Sequence, residues 1–357
     1  MSVRDAMIVA GGAGRRLWPL TATTPKPLLP FCGEPFLVGV LTRLAEAGVE
    51  RVWLVVGAET APFAALRPVA GRLGLGLEIV PEPEPLDTAG GVRVAAERVD
   101  ASFLVLNGDI LTDVDLGRVA AAHREAAADA TLVLTRVEDT SSYGVCVREG
   151  SRVVGFVEKP APGQLPDQDA VNAGTYVLEP EALLTFPSGP LSFERTVFPR
   201  LVADGRRVEG FVSDAVWADL GTRERYLDGH RLALDGRLRW PSLTRRRASD
   251  AEVADAAHVA STAVLCSGAH IAAGARIGPN VVVGANAVVG AHAVLDDVVL
   301  DVDTTVGAGA RLCGVATGER ARIGADVTAV EGALIGADQC VEDRSTLPGG
   351  ATVPARP

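Results

Sequence analysis

From residue 5 to residue 234 the chain alternates short apolar runs with amphipathic stretches. Residues 6–10, 52–56, 77–80 and 103–106 are aliphatic and β-branched runs bounded by turn residues, the pattern of strands buried on both faces. Between them, 35–47 and 116–128 carry apolar residues at helical spacing. Strands that alternate with helices predict a mostly parallel sheet covered on both faces. The later runs at 131–136, 144–148, 153–158 and 174–178 have fewer helical stretches between them, which predicts added, partly antiparallel strands.

Beyond an arginine-rich connector at 243–250 the period changes. Val253, Val259, Leu265, Ile271, Ile277, Val283, Val289 and Leu295 fall six residues apart, and four residues after each stands Ala or Val. The phase slips by one at Leu300, continues through Val306 and Leu312, and resets at Ile323, Ala329, Ile335 and Val341. A six-residue period makes each short strand one side of a triangular coil, with the large aliphatic inside and the small residue at the tight corner. The expectation is a left-handed parallel β-helix of about five coils, with a bulge or excursion over 313–321. The expected division is a first domain over 1–240, a linker over 241–252, the β-helix over 253–347 and a tail over 348–357.

At 357 residues, two domains are the natural size prior. Apolar residues make up 48% and aromatics only 4%, so the cores must be built on Val, Ala and Leu. The net charge of -11 and the lack of a long basic run argue against nucleic acid and anionic membranes as partners. Five scattered cysteines without a CxxC pair indicate neither a zinc knot nor a disulfide framework. With neither a signal-peptide pattern nor an apolar run of about 20 residues, a cytoplasmic protein is expected.

Candidate chemistry begins where the first strand ends, at Ala10-Gly11-Gly12-Ala13-Gly14-Arg15-Arg16-Leu17. Glycines after a buried strand let backbone amides approach phosphate oxygens. No GK[ST] follows, so the loop is not a Walker loop. Downstream, Pro25 and Pro27 bracket Lys26 and restrict the backbone that carries its ammonium. An acid, Asp109, closes the strand at Leu106-Asn107-Gly108-Asp109.

The run from Gly12 to Pro30, followed by Phe31-Cys32-Gly33-Glu34-Pro35, resembles the signature of the sugar-1-phosphate nucleotidyltransferases, in particular the mannose-1-phosphate guanylyltransferases. Four later segments resemble the same family in order: Glu82-Pro83-Glu84-Pro85-Leu86-Asp87-Thr88-Ala89-Gly90, Phe156-Val157-Glu158-Lys159-Pro160, Val171-Asn172-Ala173-Gly174-Thr175-Tyr176, and Trp217-Ala218-Asp219-Leu220-Gly221-Thr222. The resemblance implies a Rossmann-like, glycosyltransferase-A-like α/β mixed-sheet domain joined to a C-terminal β-helix. It implies a reaction of a nucleoside triphosphate with a sugar-1-phosphate that yields an NDP-sugar and pyrophosphate. Because two anions must meet, catalysis is largely neutralisation and alignment.

On these matched positions the implied catalytic residues are Arg16, Lys26, Asp109 and Asp219, with the two aspartates holding Mg²⁺. Ala10, Gly11, Gly12, Gly14, Arg15, Glu82, Asp87, Thr88 and Gly90 are implied in nucleotide binding. Glu158, Lys159, Asn172 and Glu194 are implied in holding the sugar phosphate, with the Gly108 and Gly174 amides donating to its hydroxyls. Asp219 taken alone also suits the N-cap of a helix beginning near Thr222.

The chain departs from the family pattern at Arg15, where Thr or Ser is usual, at Trp18, and at Asp87, where glycine is frequent. The Asp87 carboxylate could accept from the guanine edge, and the expected pair is GTP with mannose-1-phosphate. ATP, UTP or dTTP with a glucose-type or cyclitol (valienol-type) phosphate is the alternative within the class. A non-catalytic regulatory subunit is the alternative outside it, although such paralogues lose the catalytic side chains present here. His258, His270 and His292 are expected on the solvent side of a structural solenoid, and a homo-oligomer is expected through the β-helix.

Overall fold

The structure is a computed structural model and describes residues 3–12, 14–161, 164, 169–244 and 246–354. Ala13 of the glycine loop and the last three residues of the expected tail lie outside the described residues. Contacts divide the chain into two compact units, Met1–Gly12 with Val40–Trp217, and Ala13–Gly39 with Ala218–Pro357. The phosphate-loop segment therefore belongs with the β-helix unit, although the chain reaches it directly from the first strand.

The first unit is built on a nine-stranded sheet. Its strands are β1 (Asp5–Val9), β2 (Arg51–Val56), β3 (Gly76–Pro81), β4 (Phe103–Asn107), β5 (Ala130–Arg136), β6 (Gly144–Glu149), β7 (Arg152–Glu158), β8 (Ala170–Leu178) and β9 (Val208–Ser213). Their order is β3-β2-β1-β4-β8-β5-β9-β7-β6. The pairs β3–β2, β2–β1 and β1–β4 are parallel, as the early strand–helix alternation predicts. Antiparallel β8 then joins β4 to β5, and the later strands add the expected antiparallel part.

Helix α1 (Phe36–Glu46) falls within the helical pattern read at 35–47. Helix α2 (Asp87–Ala96) arises from the segment read as a nucleotide loop; Ala89, Val92, Ala95 and Ala96 bury one face in the core with Met7, Val55 and Val105. Helix α3 (Leu116–Glu125) starts at Asp115, whose carboxylate accepts from the Arg118 amide at 3.0 Å.

The second unit holds the β-helix, whose 18 short strands form three parallel sheets of six, one sheet per side of the triangle. Eighteen strands taken three to a coil make six coils rather than the expected five. The sixth is completed by strands at Thr346–Leu347 and Thr352–Val353, the latter within the stretch read as tail.

The stretch at 313–321 forms no excursion. Thr317 pairs with Ile335, and Val299 pairs with Ala316, so Thr317 stands in the inward column with Leu300 and Ile335. The aliphatic pattern is lost there because a threonine occupies the inward site and the coil is one residue short. Its hydroxyl is satisfied inside the helix by the Asp301 amide at 3.0 Å and the Thr304 hydroxyl at 3.1 Å.

Three residues before each inward residue, from Gly268 to Gly350, the backbone is left-handed, with φ between 51 and 82°. Gly, Asn and Asp dominate these corners, as that conformation demands. His292 is one such corner, while the exposed His258 and His270 point outward from their strands.

The three outer faces differ. On two sheets the outward positions are mostly polar and exposed, for example His270, Arg276, Arg311 and Arg322. On the third the outward column Val264, Val282, Val299, Ala316 and Leu334 is apolar and at most 5% exposed. That face is covered within the same unit: a Cβ built on Gly33 would lie 2.5 Å from Cys266 Sγ, and one on Gly336 would lie 3.1 Å from Pro19. The segment read as phosphate-binding is thus laid against a β-helix wall. Helix α4 (Arg223–Leu234) belongs to the same unit, and its N-cap is Thr222, whose hydroxyl accepts from the Arg225 amide at 3.3 Å. The N-cap role considered for Asp219 is therefore filled by Thr222.

Candidate active site

In the first unit, β1 delivers Ala10, buried and donating to the Val55 carbonyl at 2.8 Å, and then the exposed Gly11 and Gly12. Beside them Glu82 leaves the end of β3 with its amide bound to the Val56 carbonyl at 2.7 Å. Its side chain lies against the backbone of Gly11 and Gly91, and Oε1 is buried without a hydrogen-bond partner among the described residues. Burial pushes the Glu82 carboxyl pKa up, the Gly91 amide opposes the shift, and the nearby Asp87 charge adds to it.

Asp87 opens α2 in the left-handed region, φ 62°. That conformation accounts for the glycine of the resembling family at this position. Both Asp87 carboxylate oxygens are engaged, Oδ1 by the Thr88 amide at 2.8 Å and Oδ2 by the Arg195 guanidinium. The expected role of this carboxylate at the guanine edge is not supported by that arrangement. Thr88 is engaged as well, donating to Glu194 Oε2 at 2.7 Å and accepting from the Phe193 amide at 2.9 Å. Glu194 Oε2 also accepts from Ser192 Oγ at 3.0 Å. The Gly90 side of α2 is packed against the backbone of Gly189. Thr88, Gly90 and Glu194 therefore knit α2 to the 189–194 segment.

Farther along, Glu158 closes β7 with Oε2 buried and unpartnered among the described residues. Its carboxyl pKa is raised by burial first and by the Glu194 charge second, against the lowering effects of Lys159 and Arg195. Lys159 follows in a left-handed conformation, φ 49°, anchored through its amide to the Tyr143 carbonyl at 3.0 Å and with its side chain exposed. Asn172 Nδ2 donates to the Tyr176 hydroxyl at 2.8 Å, and Asn172 Oδ1 accepts from the Gly174 amide at 3.0 Å. The Gly108 amide donates to the Val9 carbonyl at 2.7 Å. The two glycine amides expected to bind sugar hydroxyls thus already have acceptors inside the fold. Two aromatic residues to which the sequence assigned no role stand with this group: Trp217 Nε1 donates to the Ala173 carbonyl at 2.9 Å, and its ring meets Tyr143 edge-on at 5.3 Å. Asp109 lies in the turn between β4 and the strand Ile110–Thr112.

In the second unit Arg16, Lys26 and Asp219 come together. The Gly14 carbonyl accepts from Thr21 Oγ1 at 3.0 Å and from the Leu17 amide at 2.9 Å, which folds 14–26 into a tight series of short helical turns. Lys26 Nζ lies 3.9 Å from Asp219 Oδ1, and the lysine side chain is only 9% exposed. Asp219 Oδ2 accepts from Arg225 Nη1 at 2.8 Å. A Cβ on Gly221 would fall 2.6 Å from Arg16 Nη2 and 2.7 Å from Asp219 Oδ1, so only glycine leaves both charged groups their room. Lys26 and Arg225 thus stand at the Asp219 carboxylate with Arg16 close by, a grouping of cationic donors suited to polyphosphate. Arg225 was missed in the sequence, and only its place in the first turn of α4, six residues after Asp219, pointed to it. Arg15 is exposed beside this cluster.

Among the described residues no group of three or more His, Cys, Asp or Glu side chains could hold a metal. None of their helices is long and apolar enough to cross a membrane.

Both parts of the chain resemble known proteins. Residues 252–356 match the GMPPB C-terminal domain. A mannose-1-phosphate guanylyltransferase of Mycobacterium tuberculosis (strain ATCC 25618 / H37Rv) is 42% identical over 229 residues, a match spanning 63% of this chain and 63% of that protein. The mannose-1-phosphate guanylyltransferase catalytic subunit beta of Danio rerio is 36% identical over 234 residues, again 63% of each. Among solved structures, HddC from Yersinia pseudotuberculosis complexed with GMP-PN superposes with a TM-score of 0.54 at 26% identity, covering 64% of this chain and 98% of that one. Residues 5–236 match the nucleotidyl transferase family, and with most of its length in that match the chain belongs to this family.

Proposed function

We propose that the protein transfers the guanylyl group of GTP to mannose-1-phosphate. An oxygen of the sugar phosphate attacks the α-phosphorus, the bond from that phosphorus to the bridging oxygen of the β-phosphate breaks, and GDP-mannose and pyrophosphate result. The observation that carries the reading is the placing of Lys26 and Arg225 at Asp219, with Arg16 close by, in the second unit. The choice of substrates rests on relatives at 42% and 36% identity that bear that activity in their names.

Arg16 stabilises the departing pyrophosphate and Lys26 bridges phosphates near the α-phosphorus, both through charge already in place before the reaction. Gly11, Gly12 and Gly14 line the phosphate path with backbone, and Arg15 adds charge at its rim. Glu82 rather than Asp87 reads the base: beyond what the Gly91 amide takes up, its carboxylate keeps acceptor capacity that suits the N1–H and amino group of guanine. Glu158 and Asn172 bind sugar hydroxyls beside Trp217 and Tyr143, and Lys159 grips the sugar phosphate.

Asp109 in the first unit and Asp219 in the second are the residues that would offer carboxylate oxygens to Mg²⁺. Two carboxylates completed by substrate oxygens are the donor set this ion takes. Asp219 Oδ1 is buried without a hydrogen-bond donor among the described residues, which leaves an oxygen for a cation. When bound, the ion supplies neutralisation of the triphosphate charge.

The test is a matrix of the common NTPs crossed with sugar-1-phosphates, with Mg²⁺ present, pyrophosphate release as the readout and Asp109→Ala as the control. Release with GTP and mannose-1-phosphate, lost in the control, is expected. Release only with another pair corrects the substrates, and silence across the matrix with no nucleotide binding refutes the reading.

A further inference from the structure

Helix α4 lies along one corner column of the β-helix. Arg231 Nε meets Asp297 Oδ1 at 3.1 Å, while Arg223 Nη1 donates to the carbonyls of Gly332 at 3.0 Å and Gly350 at 2.5 Å. Asp297, Gly332 and Gly350 are all left-handed corners, each three residues before an inward residue of the covered sheet. Eight residues of helix rise about 12 Å, and three coil steps rise about 14 Å. The helix therefore runs along the coil stack with its N-terminus at the last coil.

That N-terminus is where the charged cluster sits. Thr222 caps the Arg225 amide, Arg225 holds Asp219, and Asp219 faces Lys26. One guanidinium nitrogen bridges carbonyls of two successive coils, which ties α4 to the end of the stack rather than to one loop. A Cβ at Gly350 would lie 3.4 Å from Arg223 Nη1 and one at Gly332 3.6 Å from Arg223 Cδ, ordinary contact distances that put the arginine side chain directly over both corners.

We infer that Arg223 is a positioning residue through which the terminal coil of the β-helix sets the place of Asp219 and Arg225. The last coil is then part of the nucleotidyl-transfer apparatus, whatever else the β-helix does. This rests on the function proposed above, and its test carries a readout independent of turnover.

Full-length wild type, Arg223→Met, Arg223→Lys, a chain ending at Leu347, and the Arg223→Met substitution in that shortened chain are compared. Pyrophosphate release gives kcat and KM, Mn²⁺ binding is followed by water-proton relaxation, and near-UV circular dichroism checks folding. Arg223→Met is expected to lower kcat by roughly 10–100-fold, as for a misplaced reacting group, with KM for mannose-1-phosphate nearly unchanged. It is expected to weaken Mn²⁺ binding by about tenfold, the effect of losing a group that orients a ligand. Lysine restores part of both, and the substitution costs less in the shortened chain than in the full one, because the truncation has already removed the Gly350 carbonyl and leaves only that of Gly332. Wild-type kcat and Mn²⁺ affinity in a folded Arg223→Met overturn the inference, as do additive losses in the combined variant. If the shortened chain does not fold, the two point variants decide alone. If wild type is silent with GTP and mannose-1-phosphate, the substrate reading fails and the Mn²⁺ affinities still decide the role of Arg223.

Discussion

The polar cluster of the first unit and the charged cluster of the second treat hydrogen-bonding capacity in opposite ways. Around α2 the polar groups satisfy one another: Asp87 with Arg195 and the Thr88 amide, Thr88 with Glu194 and the Phe193 amide, Glu194 with Ser192. At Asp219 the carboxylate pairs with Arg225 and faces Lys26, with Arg16 close by. A closed network rigidifies the fold, whereas cations grouped at a carboxylate bring several charged donors to one place where an anionic ligand can be held. Membership in a motif therefore does not make a side chain a ligand contact. Within the first unit, capacity is left over at Glu82 and Glu158, whose buried oxygens lack partners among the described residues.

The sharpest way to break this contrast is Lys26→Ala, which is expected to lower kcat/KM by about 10³-fold, measured by pyrophosphate release, because it removes a preorganised charge. A loss under tenfold would place Lys26 among framework residues. Glu82→Gln should cost about 10²-fold in kcat/KM for GTP and narrow its margin over ATP, since the neutral amide presents a donor to a donor edge. An unchanged GTP preference would return base selection to Asp87 or to backbone.

Stability sharpens the other side. His230 of the second unit is buried between Phe31 and Tyr226, and burial lowers its pKa to about 4, against the backbone carbonyls of Tyr226 and Pro30. The folded protein therefore takes up this proton less readily than the unfolded chain. Stability from this group is complete above pH about 6.5 and falls as the pH drops toward 4, by about 3 kcal/mol. Urea titrations at pH 7 and pH 4.5 should show that His230→Phe loses less stability on acidification than wild type. Thr88→Val should cost about 1–2 kcal/mol by the same titration, through the unpaired Glu194 and Phe193 groups, with kcat falling less than in Lys26→Ala. The smallest effect is expected at Thr317→Val inside the β-helix, at about 1 kcal/mol: apolar burial gained is offset by the lost partner of Thr304 and the Asp301 amide.

Much of the architecture was legible because period reports burial. Eight aliphatics six residues apart admit few folds other than a coil of three sides, and the alternation of 5–234 reads as a largely parallel sheet. The sixth coil escaped because its inward residues, Leu347 and Val353, follow a run rich in polar residues and glycine. The 313–321 stretch escaped because Thr317 is polar to a pattern search, yet inside the coil its hydroxyl has partners. Helix α2 was hidden by its two glycines, which lower helix propensity but let the helix approach Gly189 and Glu82 closely.

The sequence by itself determined the periods, the family resemblance, and the order in which the candidate residues occur. It could do so because side-chain alternation and turn chemistry are local. The tertiary structure alone decided which of these polar groups already have partners, that one β-helix face is covered by the phosphate-loop segment, and that Arg223 ties the last coil to the Asp219 turn. Each of those depends on atoms brought within about 3 Å by residues more than a hundred positions apart in some cases, as Arg223 and Gly332 are. Hydrogen-bond satisfaction at that range is a property of the folded chain and leaves no periodic trace in the sequence.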